Sequence, residues 1–193
     1  GMVVTNSKKD YDLLKIMRAH GWDRDLEKNE KKSKKFNFIN MGFNLRPLEV
    51  SAAIAHNQLK SLKKFSKIRQ INRKKIIESL KKHKNWDEQY QFVIPDKNLQ
   101  PSWFGLPLLI KGKHVSKKKK IIKNLNKWGI ETRPIISGNF LNQRASKLYK
   151  LNKKKELFYN AEYIEKAGFF IGLHTKKIGI KTLQVLTNQL LNF

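Results

Sequence analysis

Asn44 and Arg46 stand two positions apart in GFNLRP, followed at once by Pro47 and a run of small and aliphatic residues. An amide and a guanidinium fixed between a turn and a helix start can donate several hydrogen bonds to one anion, a phosphate above all. The same pair has a plainer use, because Asn44 can satisfy the turn's own backbone and Arg46 can be a surface cation. Three further clusters put polar groups where apolar or turn residues would suffice. In RAHGWD, residues 18–23, His20 leaves a helix just before Gly21, a residue suited to the left-handed position after a helix end; the plain reading is a helix cap. In ETRPIISGNF, residues 131–140, Arg133 precedes a proline and is therefore extended, and Ser137, Gly138 and Asn139 form a polar turn at the strand's end. Ligand groups are often set at such ends, and a simple turn explains the same residues. In FFIGLH, residues 169–174, Gly172 allows close backbone approach and His174 emerges where the strand stops, as structural histidines also do.

Familiar catalytic spacings are missing. There is no Gly-x-x-x-x-Gly-Lys phosphate loop, no Gly-x-Gly-x-x-Gly, no His-x-x-x-His pair and no Gly-x-Ser-x-Gly elbow. The 5 histidines lie far apart and cysteine is absent, which excludes a disulfide framework, a cysteine-ligated zinc site and an iron–sulfur cluster. Spacing alone therefore assigns neither a catalytic residue nor a metal ligand.

The elements that must position these clusters alternate between strand and helix. MVVT, residues 2–5, reads as a strand that lacks sheet neighbours before it, so the chain looks cut, and residues 10–19 read as a helix. Residues 21–40 turn to Asp, Glu, Lys, Asn and Ser, the composition of a mobile or partner-ordered loop and a natural domain boundary. Pro47 suits a first helical turn, and Val50, Ile54, Leu62, Ile68, Ile76, Ile77 and Leu80 can line one long helix ending near residues 83–85. Strands follow at 91–94, 102–110, 130–136 and 169–173, with helices at 116–128, within 142–151, at 157–167 and at 178–191. The expected class is α/β, a small sheet covered on one face by helices.

Charge is the most conspicuous bulk property. The 193 residues carry a formal +27, from 42 basic side chains of which 35 are Lys and 7 are Arg. Such a balance suggests a polyanion. The lysines, however, are scattered through most segments beside abundant Asn and Ile, as compositional drift on solvated helix faces would leave them. A basic nucleic-acid or polyanion binding module thus remains the alternative, with nucleic acid not the expected partner. No apolar run approaches the length of a membrane span, and the first residues lack the order of a secretion signal, so a cytoplasmic chain without a membrane partner is expected.

Taken in order, GMVVTN, RAHGWDRDL, GFNLRPLEVSAAIAHNQLKSL, PSWFGLPL, GIETRPIISGNF and AEYIEKAGFFIGLH resemble the second half of the DegT/DnrJ/EryC1/StrS sugar-nucleotide aminotransferase family. RAHGWD, GIETRPIISGNF and FFIGLH are most similar to its branch of 4-keto-6-deoxy-hexose 3-dehydratases of lipopolysaccharide sugar synthesis. The resemblance implies the C-terminal part of a fold-type I, aspartate-aminotransferase-like enzyme that forms a homodimer and uses pyridoxal or pyridoxamine 5′-phosphate. Residues 1–40 would be the tail of its large cofactor-binding domain, and 41–193 a long linking helix plus the small α+β domain.

By residue-for-residue transfer, Asn44 would reach the cofactor phosphate of the neighbouring subunit, with Arg46 beside it. His20 would face the sugar, while Arg133, Asn139 and His174 would lie around the nucleotide-sugar entrance. The resemblance also implies proton transfer at the sugar through a cofactor Schiff base, ending in transamination where the acid/base is Lys and in 3-dehydration where it is His. In such enzymes that residue, the aspartate on the pyridine nitrogen and the aromatic stacked on the ring all precede the stretch present here. The isolated chain is therefore expected to bind no cofactor and to be inactive. A related dehydratase group ligates an iron–sulfur cluster with cysteines that follow the RAHG helix; here WDRDLEKNEKKSKK has none.

Overall fold

The computed structural model of the chain describes residues 2–26, 36–149 and 155–193. They form two compact units, Gly1–Lys60 and Ser61–Phe193, which divide well beyond the composition shift at residue 40.

In the first unit, helix α1 (Lys8–Met17) begins where the Ser7 hydroxyl accepts from the Asp10 amide at 3.3 Å, satisfying one of the donors that a helix start leaves free. It ends in two consecutive left-handed residues, His20 at φ 65° and Gly21 at φ 83°, and the Gly21 amide closes the end on the Ile16 carbonyl at 2.9 Å. Residues 36–46 return antiparallel to this corner, pairing Trp22 with Phe38 and Ala19 with Asn44. Helix α2 (Glu49–Leu59) completes the unit. The expected strand at 2–5 does not form: Met2, Val3 and Val4 are exposed and unpaired, and a strand without a neighbour leaves its amides and carbonyls to water. Of the loop expected at 21–40, residues 27–35 lie outside the described residues.

The expected continuous strut is two helices, α2 and α3 (Leu62–Lys82), interrupted at Lys60 and Ser61. Val50, Ile54 and Leu62 are exposed, and a serine at the junction favours a helix start over a helix interior.

The second unit is built on a four-stranded antiparallel sheet in the order β1 (Tyr90–Phe92), β2 (Gly105–Ile110), β4 (Gly168–Gly172), β3 (Thr132–Arg133). Register places Leu108 opposite Phe169 and Leu106 opposite Ile171, and the alternate residues of β2 and β4 share one core with Ile76 and Leu80 of α3. Helices α4 (Lys118–Lys127) and α6 (Ile180–Leu191) supply Ile121, Leu125, Leu186 and Leu190 to that core. Each fully buried leucine or isoleucine contributes about 2 kcal/mol of apolar burial. Tyr90 crosses the core to donate its hydroxyl to the Leu190 carbonyl at 2.6 Å, and burial pushes its ionisation well above the ordinary range.

Helix α5 (Tyr159–Ala167) precedes β4 as expected, its Tyr163 hydroxyl donating to the Ile110 carbonyl at 2.6 Å. Two expectations are corrected. The strand at 130–136 shrinks to Thr132–Arg133, because Pro134 offers no amide for the ladder and Ile136 turns left-handed at φ 46°. The helix within 142–151 appears as short 3-10 turns, Phe140–Asn142 and Arg144–Lys147, with 150–151 outside the described residues.

Candidate functional site

The first unit brings the segments of His20, Asn44 and Arg46 together by backbone pairing. The His20 amide donates to the Phe43 carbonyl at 3.0 Å, the Leu45 amide to the Arg18 carbonyl at 3.0 Å, and the Phe43 amide to the Met17 carbonyl at 2.6 Å. Gly21 and Gly42 let the two segments touch: a Cβ on Gly42 would stand 2.1 Å from the Gly21 nitrogen. Asn44 is thereby held on a paired backbone while its side chain is exposed, and among the described residues the amide makes no hydrogen bond. His20 is likewise exposed and without a side-chain partner among the described residues.

Arg46 is placed differently from its neighbour. Its Nη2 donates to both carboxylate oxygens of Asp25, at 3.1 and 2.9 Å, and Arg18 Nη2 reaches the same carboxylate at 3.3 Å. Partial burial works against the Asp25 charge, but the hydrogen bonds and fields of Arg18 and Arg46 prevail and hold its ionisation below the usual carboxylate value. One carboxylate thus ties the GFNLRP turn to the end of α1. Asp25 was not singled out in the sequence: it lies 21 positions from Arg46 in a segment rich in charges.

In the second unit, Arg133 and His174 line one cavity of about 950 Å³ together with Trp128, Phe104, Phe170 and Lys181. Its floor is apolar, from Ile76, Ile130, Ile171 and Leu186. Arg133 is exposed and pairs with Glu131 through Nε at 3.0 Å and Nη2 at 2.9 Å. His174 Nδ1 accepts from the Lys176 amide at 2.9 Å, and the carbonyls of His174 and Lys176 accept from the buried Asn72 amide at 3.0 and 2.7 Å. The loop at the end of β4 is therefore anchored from beneath by α3. Trp128 is 58% exposed and forms part of the cavity wall.

Asn139 is not on that wall. It is 2% exposed, its Oδ1 accepts from the Leu141 amide at 3.0 Å and its Nδ2 donates to Glu162 at 3.1 Å. Asn139 thus caps the turn after β3, with its amide engaged inside the fold. Among the described residues no cluster of His, Cys, Asp or Glu fits a metal ion, and no helix is long and apolar enough to cross a membrane.

The fold is shared with known proteins. The chain belongs to the DegT/DnrJ/EryC1/StrS aminotransferase family, whose profile matches residues 1–184. Within it, the chain is 36% identical over 183 residues to the GDP-4-keto-6-deoxy-D-mannose 3-dehydratase of Escherichia coli O55:H7, covering 90% of this chain and 46% of that protein. The enzyme of the same description from Yersinia pseudotuberculosis is 36% identical over 184 residues, with 90% and 45% covered. The solved E. coli GDP-4-keto-6-deoxy-D-mannose-3-dehydratase with bound hydrated PLP matches at a TM-score of 0.79 and 32% identity over 97% of this chain and 49% of that one. The chain thus spans about half the length of these relatives. The fold expected from the resemblance, part of a PLP-dependent sugar aminotransferase or dehydratase, is the one observed.

Proposed function

We propose that the chain is the C-terminal half of a pyridoxal- or pyridoxamine-phosphate enzyme that removes the 3-hydroxyl of a nucleotide-linked 4-keto-6-deoxy sugar, in the synthesis of lipopolysaccharide sugars. One observation carries the reading: 36% identity along 90% of the chain to a dehydratase of that chemistry. Residues 1–40 belong to the large domain and 41–193 to the linking helix and small domain, and the working unit is a homodimer.

The residues present fit one part of the cofactor. Asn44 offers an exposed amide donor that nothing else in its described surroundings uses, on a backbone fixed by pairing, which suits a phosphate oxygen presented by the neighbouring subunit. Arg46 contributes by holding that turn, since its Nη2 is spent on Asp25. Bound, the cofactor would supply the electron sink that lets the 3-hydroxyl leave the sugar as a proton is removed. His20 faces the sugar from the end of α1, beside that turn. Arg133 and His174 form the entrance for the nucleotide-sugar, and Asn139 shapes that entrance through the turn it caps.

The test is product analysis by mass spectrometry, with the protein in its natural length supplied with pyridoxamine phosphate and GDP-4-keto-6-deoxy-D-mannose. A 3-deoxy keto sugar supports the reading, whereas an amino sugar or unchanged substrate contradicts it. The rival reading as a polyanion module has less support, because Trp22 lies against Phe36 and Phe38, Trp86 stacks on Phe92 and Trp103 carries Arg73, and Trp128, though exposed, lines the apolar-floored cavity.

A further inference from the structure

The corner between α1 and the GFNLRP turn holds more charge than it needs for capping. Two guanidinium groups, from Arg18 on the end of α1 and Arg46 in the turn, converge on one carboxylate, Asp25, at 2.9 to 3.3 Å. Arg18 and Arg46 flank the two paired segments, since Ala19 bridges Asn44 and the Leu45 amide donates to the Arg18 carbonyl. The carboxylate therefore clamps both sides of the backbone that carries Asn44, which lies two positions before Arg46 and bridges Ala19, the residue after Arg18. At the glycine crossing beneath, a Cβ on Gly42 would stand 2.1 Å from the Gly21 nitrogen, so the two backbones meet with no side chain between them.

We propose that Asp25 is a positioning residue for phosphate binding: it fixes the Asn44 amide for the cofactor phosphate by clamping Arg46 to Arg18, and it keeps the Arg46 charge from competing for that anion. This rests on the reading that Asn44 meets the cofactor phosphate. Asp25 itself, an anion, touches no phosphate. Without it, two like-charged guanidiniums face each other across the corner, and the Asn44 turn loses the restraint that makes its donor direction definite.

A double-mutant cycle tests the coupling, with the protein in its natural length and pyridoxamine 5′-phosphate as the probe, its dissociation constant read by equilibrium dialysis. Asp25→Asn and Asn44→Ala should each weaken binding about tenfold, as loss of a charge-assisted contact does. The double variant should bind no more weakly than Asn44→Ala alone, because Asp25 acts through Asn44, and Asp25→Glu should recover most of the affinity. Wild-type affinity in Asp25→Asn, or a loss that adds in full to that of Asn44→Ala, overturns the positioning role. Wild-type affinity in Asn44→Ala overturns instead the phosphate contact on which it rests, and the role with it.

Discussion

Gly21 and Asn40 are in such close contact that a methyl group on the glycine would overlap the Asn40 carbonyl oxygen, its Cβ falling 1.6 Å away. Gly21 is also left-handed at φ 83°, so an L side chain there is strained as well as obstructed. This crossing is what lets the α1 end and the GFNLRP turn share hydrogen bonds, and hence what places Asn44 at all.

Gly21→Ala should therefore cost about 3 kcal/mol of local stability, from left-handed strain plus overpacking against backbone. The loss is read by amide exchange at His20, Ile39 and Phe43, all of which are protected by this corner. Unchanged protection at those three amides would show that the crossing is not what holds the turn.

Acid should release the same corner through Asp25. Its folded ionisation lies below the ordinary value of 3.8, so the stabilisation is fully present above that value and is lost as pH falls through the lower, folded one. Fluorescence of Trp22, which packs on Phe36 and Phe38 beside this corner, should change below 3.8 in the wild type and much less in Asp25→Asn.

Ile136 carries strain that a substitution can relieve. A β-branched residue at φ 46° is unfavourable, and its side chain is 89% exposed, so little packing offsets the cost. Ile136→Asn, which tolerates the left-handed region, should raise stability by about 1 kcal/mol in denaturant unfolding. A loss of similar size would mean that Ile136 packs on something in solution.

Leu108 and Ile54 look alike in the sequence, each an aliphatic residue in a patterned segment, yet Leu108 is fully buried and Ile54 is 60% exposed. Leu108→Ala should cost about 3 kcal/mol and Ile54→Ala under about 0.5 kcal/mol in the chain alone. Equal costs in denaturant unfolding would remove the distinction between core and uncovered face.

That pair also shows what was legible and what was not. Periodicity located α4, α6, β2 and β4 because each buries its apolar side against the others. It reports which side of an element is apolar and is silent on what covers it, so α2 and α3 read as one strut and MVVT read as a strand. The polar turn at Asn44 was visible because turn and proline chemistry is local. The ion pair that holds it was not, since Asp25 and Arg46 meet only after the chain has reversed, 21 positions apart. At Asn139 a cap and a contact would use the same amide, so the sequence could not show that its side chain is buried.

The most direct measurement is the distance from Asn44 Nδ2 to the nearest phosphate oxygen in a crystal of the natural-length protein with pyridoxamine 5′-phosphate. A separation of about 3 Å to the phosphate held by the other subunit is the predicted result. A phosphate gripped wholly within one subunit, with the Asn44 amide left in solvent, would contradict it.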